Sequence, residues 1–186
     1  LISPAKIKNM VFKTPKTSNA GLDVYEDPVK GNTYVVTVDV ARGVSKDYSA
    51  FVVMDVSQMP FKVVAKYRNN DIKPLLFPHT IEQVAKGYNH AHVLVETNDL
   101  GQQISDALHF EIEYDNLLMT TQRGRAGQLL GAQFSGRGTS LGVRMTKQIK
   151  KLGCSNFKTL VESDKLIVND FNIIEEMSTF SKRGNS

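Results

Sequence analysis

Three runs rich in β-branched and aromatic residues follow one another with almost nothing between them. They are "TYVVTVDVA" over 33–41, "YSAFVVMDV" over 48–56 and "FKVVAKYRN" over 61–69. Each has the length of a strand, and the connectors, 42–47 and 57–60, are too short for a crossover helix. A parallel return needs about a dozen residues or more, so strands joined this closely turn back on themselves. The predicted result is an antiparallel three-stranded meander, which sets the direction of everything placed beside it.

Helical and extended signals then alternate. "TIEQVAKGYNHA" spaces Ile81, Val84, Ala85 and Tyr88 as on one helix face, and "HVLVE" (92–96) is a short apolar run suited to a central strand. "NDLGQQISDALH" offers a cap at Asn98 or Asp99 followed by Leu100, Ile104 and Leu108 at helical spacing. "NLLMTT" (116–121) reads as a fifth strand, 122–138 as a glycine-rich basic loop, and 141–160 as a helix interrupted near Gly153. "KLIVND" is extended and "IIEEMSTF" is a last helix. The expected class is α/β, with a central mixed five-stranded sheet (the meander plus parallel strands) flanked by helices. Residues 1–30 mix Lys, Pro, Asn and Thr without periodicity and read as a linker or arm, with the folded domain over 31–186.

At 186 residues the chain can bury one sizeable core. A single cysteine, Cys154, excludes an internal disulfide framework and suits a reducing compartment. No apolar run reaches the roughly 20 residues of a membrane-spanning helix. No G-x-x-x-x-G-K-[ST] loop or G-x-S-x-G elbow occurs, which removes P-loop ATPases and the α/β-hydrolase class.

Two acids break the apolar pattern. Alternation puts Asp39 on one face of its strand with Val35 and Thr37, opposite Tyr34, Val36 and Val38. Glu96 ends the fourth strand on the face of Leu94, so each carboxylate stands at a strand's C-terminal end, where sites gather in mixed sheets. If the two strands are parallel neighbours, the carboxylates face each other and need a proton or a cation between them. An oxygen-only donor set selects Mg²⁺ or Mn²⁺ rather than zinc. His79, His90, His92 and His109 show no metal-ligand spacing near a cysteine, and Asp47 can add a further carboxylate. The competing reading pairs Asp39 with Arg42 as a loop cap.

The formal charge is +4, and it is unevenly placed. No acid occurs between Asp115 and Glu162, an interval that holds Arg123, Arg125, Arg137, Arg144, Lys147, Lys150, Lys151 and Lys158. Arg144, Lys147 and Lys151 follow i, i+3, i+7 spacing on one helix face. A one-sign stripe of this kind fits either phosphate-backbone contact or a solvated face.

Several long stretches, in order, resemble one family. "VTVDVARGVSKDYSAFVVMDV", "VLVETNDLGQQISDAL", "TTQRGRAGQ" and "LGVRMTKQIKKLGCSNFKTLVESDKLIVNDFNIIEEMSTF" are similar to the nuclease domain of the large terminase subunit, the DNA-packaging motor of tailed bacteriophages. The resemblance covers the chain from about residue 18 onward. It implies an RNase H-like fold and a Mg²⁺- or Mn²⁺-dependent endonuclease that cuts concatemeric double-stranded DNA with little sequence preference. It matches Asp39 and Glu96 to the first two catalytic acids and Asp47 to a further important aspartate. The basic stripe itself, Arg123, Arg125, Arg137, Arg144, Lys147, Lys150 and Lys151, supplies the expected DNA contacts. The implied partners are duplex DNA, an ATPase domain of the same full-length chain, the phage portal and the small terminase subunit, in the host cell cytoplasm. The family's third catalytic acid falls after the "STF" segment, beyond Ser186, so the domain is expected to be C-terminally incomplete; Asp164 and Asp170 match other parts of the pattern. Two other readings remain from the residues: an actin- or hexokinase-like nucleotide-binding domain, with "DVARGVSKD" cradling phosphates, and a nuclease-inactive DNA or portal docking module.

Overall fold

The computed structural model describes residues 1–40, 48–121, 129–130 and 139–180. In chain order, α1 (Pro4–Lys8) precedes two short strands, β1 (Thr17–Asn19) and β2 (Leu22–Val24). The meander follows as β3 (Tyr34–Asp39), β4 (Ser49–Asp55) and β5 (Phe61–Asn69). Next come α2 (Phe77–Gly87), β6 (His92–Val95) and α3 (Gly101–Asp106), which runs into a π-helical turn, Ala107–Glu111. β7 (Met119–Thr121), β8 (Leu129–Leu130) and β9 (Thr139–Leu141) precede α4 (Lys147–Glu162), β10 (Leu166–Val168) and α5 (Phe171–Thr179).

β3, β4 and β5 pair antiparallel in sequence order, as their connectors require, and β6 joins β3 in parallel on the other side. The central sheet has seven strands rather than five. The N-terminal segment read as an arm supplies β2, antiparallel to β5 at Leu22↔Tyr67, with β1 outside it. β10 takes the other half of the same β5 edge in parallel, Leu166 opposite Phe61. The expected fifth strand leaves the sheet: Leu117 bridges once to Val93, and the chain then enters a separate three-stranded sheet, β8-β7-β9.

Alternation along β3 divides the core. Tyr34, Val36 and Val38 are buried on one face with Phe51, Val53 and Tyr67, against Phe77, Ile81 and Ala85 of α2 and Ile104 of α3. The i, i+4, i+8 spacing of those α2 residues is what makes it amphipathic toward the sheet. On the opposite face, Val63, Leu166 and Val168 pack with Val161 of α4 and Ile174 and Met177 of α5, and Val52 and Met54 lie against them. That second layer covers β4, β5 and β10. The β3 and β6 end of this face, carrying Thr37, Asp39 and Leu94, is only partly covered, and the site lies there.

α4 runs through Gly153 without a break. A Cβ at Gly153 would meet nothing within 4 Å, so the glycine serves no close contact. Its penalty of about 1 kcal/mol is what a packed 16-residue helix absorbs. The helix starts later than its hydrophobic pattern, at the Thr146 cap, whose hydroxyl accepts from the Ile149 N–H at 3.2 Å.

Candidate active site

β3 and β6 are parallel with Val38 opposite Val95, and the Glu96 N–H donates to the Val38 carbonyl at 2.9 Å. The next residue on each strand is an acid, so Asp39 and Glu96 stand side by side on the face shared with Thr37 and Leu94. Among the described residues neither carboxylate makes a hydrogen bond or an ion pair. Partial burial pushes the Glu96 carboxyl above the usual carboxylate range. The negative charge of Asp39 adds to the rise, Lys150 opposes it, and Asp99 adds further. The two acids therefore sense each other, and their mutual repulsion is what a bound cation would remove.

Close backbone approaches hold Glu96 in place. Gly101 opens α3 directly under the strand end, where a Cβ would stand 1.8 Å from the Glu96 carbonyl oxygen. Gly142 has φ +65°, and a Cβ there would lie 2.3 Å from the Val95 carbonyl oxygen. This lets the chain after β9 run beside the end of β6, with the Val143 N–H donating to Val95 at 2.8 Å and the Thr97 N–H to Val143 at 2.9 Å. Asn98 closes the arrangement: its side chain accepts from the Met145 N–H at 3.0 Å and donates to the Met145 carbonyl at 3.2 Å. Read in sequence as a helix cap, Asn98 instead ties the β6 end to the residues that start α4. The helix it was expected to cap begins after Leu100 with no side-chain cap.

A cleft of about 690 Å³ opens over the two acids. Leu94, Val143 and Met145 form part of its wall, α4 contributes Ile149, Lys150, Gly153, Cys154 and Phe157, and α5 contributes Ile173, Glu176 and Met177. Among the described residues Lys150 alone of the predicted DNA contacts lines this cleft, and it is exposed, as are Arg144, Lys147 and Lys151 outside it. Asp47, Arg123, Arg125 and Arg137, and also Arg42, lie outside the described residues. Sequence reasoning missed the α5 wall and the two glycines. Glycine next to an acid-bearing strand end was the available signal for Gly101.

Asp164 and Asp170 are engaged elsewhere. Asp164 pairs with Lys6 at 2.5 Å. Asp170 is buried, hydrogen-bonded to Lys66 and Tyr25, and caps α5 by accepting from the Ile173 N–H. Among the described residues no three His, Cys, Asp or Glu side chains converge on one point. Two carboxylates are still enough for a hard ion such as Mg²⁺, which keeps several waters and commonly takes one or two protein carboxylates.

The family of terminase RNaseH-like domains matches residues 36–185. The chain belongs to that family. The fold agrees with the large terminase nuclease of thermophilic phage G20c, solved with bound cobalt, at a TM-score of 0.72 and 18% identity over 98% of this chain and 81% of that one. The nuclease domain of the Thermus phage P74-26 large terminase gives a TM-score of 0.67 and 19% identity, covering 98% and 80%. The human cytomegalovirus terminase nuclease domain, soaked with manganese, gives 0.54 and 11%, covering 97% and 88%. The terminase RNaseH-like domain thus presents Asp39 and Glu96 at the mouth of a cleft, on a fold shared with nucleases that have been solved with divalent metals.

Proposed function

We propose that this domain is the divalent-metal-dependent endonuclease of a phage large terminase, cutting concatemeric double-stranded DNA during genome packaging. The observation that carries the reading is the pair of carboxylates Asp39 and Glu96 on adjacent parallel strand ends, without a hydrogen bond or ion pair among the described residues, one of them raised in pKa by burial and by the other. Their oxygen donors suit Mg²⁺ or Mn²⁺, and Asp47 is assigned as a third ligand. When bound, a pair of such ions supplies Lewis-acid polarisation and a nucleophile at neutral pH, the two-metal form of phosphodiester hydrolysis. The chain's own part is to hold the donors on rigid strand ends, with Gly101 and the Asn98 tie fixing Glu96. Arg144, Lys147 and Lys151, with Arg123, Arg125 and Arg137, hold the duplex by its phosphates, which predicts little base preference and a steep loss of binding with salt.

An ATPase domain of the same polypeptide, the portal and the small terminase subunit are the proposed partners, in the host cytoplasm. Family membership disfavours the actin-like alternative. Supercoiled plasmid incubated with the protein in Mg²⁺ or Mn²⁺ tests the reading. Cutting is expected, and Asp39→Asn abolishes it while duplex binding persists. A variant that nicks as well as the wild type removes Asp39 from the site; a wild type that binds but never cuts leaves only the docking module.

A further inference from the structure

The basic residues of α4 do not form one set. Arg144, read in sequence as part of the same helix face, precedes the Thr146 cap and is not on α4, while Lys147 and Lys151 are on the helix and lie outside the cleft. Lys150 stands about 100° around the helix from Lys151, on the face that also carries Ile149, Gly153 and Phe157 into the cleft. It is the only Lys or Arg side chain among the described residues lining the cleft that contains Asp39 and Glu96. Among the described residues its ammonium has no ion pair or hydrogen bond. The placement is built in, because the Asn98 side chain grips the Met145 backbone just before the Thr146 cap, and the first turn of α4 is thereby fixed relative to Glu96.

We propose that Lys150 receives the phosphate that is cut, its ammonium contacting a non-bridging oxygen of the phosphodiester held over Asp39 and Glu96. This rests on the nuclease reading above and divides its DNA-binding residues into two classes. A phosphate approaching Asp39 and Glu96, with Glu176 also on the cleft wall, meets like charge, and a cation on the α4 wall both draws it in and fixes which phosphate stops there. In the reaction the oxygen of water bonds to phosphorus and the bond from phosphorus to the leaving oxygen breaks. The leaving oxygen keeps the electron pair and takes a proton from solvent, and the proton lost by the attacking water returns to solvent. Lys150 keeps its own proton throughout. Lys150 is itself exposed, and its charge faces the non-bridging oxygens where negative charge accumulates, on a wall it shares with Ile149 and Phe157.

The test compares Lys150→Met and Lys150→Arg with Lys151→Met and with Lys86→Met, a one-charge control on α2 that is paired with Glu82 at 2.6 Å. Two quantities are read: the single-turnover cutting rate at saturating duplex in Mn²⁺, and the half-saturating duplex concentration in Ca²⁺ by fluorescence anisotropy. Lys150→Met is expected to lower the saturated rate about 100-fold, the scale of losing one donor to a developing negative charge, and to raise half-saturation less than about threefold, one phosphate contact among several. Lys151→Met shows the opposite order, with its larger effect on half-saturation. Lys150→Arg recovers part of the rate, and Lys86→Met changes neither quantity. Thermal melting confirms that each variant is folded, and a Lys150→Met loss that tracks its melting temperature and is not eased by Lys150→Arg overturns the proposal. If the wild type cuts, Asp39→Asn does not, and Lys150→Met keeps the wild-type saturated rate, the proposal falls and the nuclease reading stands. If the wild type itself never cuts, both fall together.

Discussion

Asp170 links the stability of the second layer to the cleft, and its removal can be worked through from the structure. Its carboxylate is 2% exposed, accepts from Lys66 at 2.5 Å and from Tyr25, and caps α5 through the Ile173 N–H at 2.8 Å. Burial alone would raise its pKa, but the Lys66, Tyr25 and Ile173 hydrogen bonds and the Lys66 charge outweigh it and hold the carboxyl below the usual range. Asp170→Ala removes the cap, worth about 1 kcal/mol, and leaves the buried Lys66 ammonium without its nearer partner. Breaking a buried pair from one side costs about 3–5 kcal/mol. The lower end applies, because Asp23 remains 3.4 Å from Lys66 and is itself partly exposed. The two losses together come to about 4 kcal/mol, and at about 2–4 °C per kcal/mol for a chain of this size the melting temperature falls by roughly 8–16 °C. Thermal unfolding followed by circular dichroism measures the shift, and urea unfolding measures the free-energy loss. A group with a depressed folded pKa stabilises above its unfolded value, near 4, and loses that contribution as pH falls through the folded value. The wild-type advantage over Asp170→Ala therefore shrinks in acid. A loss of about 1 kcal/mol or less at neutral pH, unchanged in acid, would refute the reasoning and leave Asp170 as a cap alone.

Two further outcomes follow from the site. Glu96→Gln removes a carboxylate whose folded pKa is raised, so the charged form opposes folding above its ordinary value; the metal-free variant melts higher than the wild type at pH 7, the gap closes below about pH 4, and cutting is lost. Gly101→Ala drives a Cβ into the Glu96 carbonyl, 1.8 Å away and backbone rather than a yielding side chain; it destabilises by about 1–3 kcal/mol, and its single-turnover rate falls even well below the melting temperature because the strand end carrying the acid must move.

What the sequence made legible was whatever a strict period of two could carry. Alternation in β3 placed Asp39 opposite Val36 and Val38, and the short connectors set the meander, so the juxtaposition with Glu96 needed only one parallel neighbour. β1 and β2 are three residues each, too short for alternation to register, and "KLIVND", read as extended, forms β10 but pairs with a strand about a hundred residues earlier. The places of β2 and β10 are decided by the free edge of β5, and that of β1 by β2, which no local pattern reports. Gly153 misled in the other direction: helix propensity argues for a break, but Ile149 and Phe157 on either side face the cleft, and the cap at Thr146 starts the helix firmly. Gly101 and Gly142 are required by backbone distances that exist only after β6, α3 and the chain following β9 have met.

The split within the basic stripe shows why spacing alone could not assign roles. Counting along α4 gives angles between residues but not the direction in which the helix is turned, and Lys147, Lys150 and Lys151 are equally basic in sequence. That direction is set by the apolar face, Ile149, Gly153 and Phe157, and by the Asn98 grip on Met145, both of which refer the helix to the end of β6. Once α4 is oriented, the lysines separate without reference to any ligand: all three are exposed, but Lys150 lines the cleft with the paired carboxylates and Lys147 and Lys151 do not. Long-range attraction for a polyanion depends on the sum of exposed charge and is screened by salt, whereas a charge beside the acids acts on a bound phosphate at short range, well inside a Debye length. Salt should therefore weaken capture of the duplex far more than it slows the cutting of duplex already bound, and a saturated rate that falls with salt as steeply as affinity would mean that α4 presents its lysines as a single surface after all.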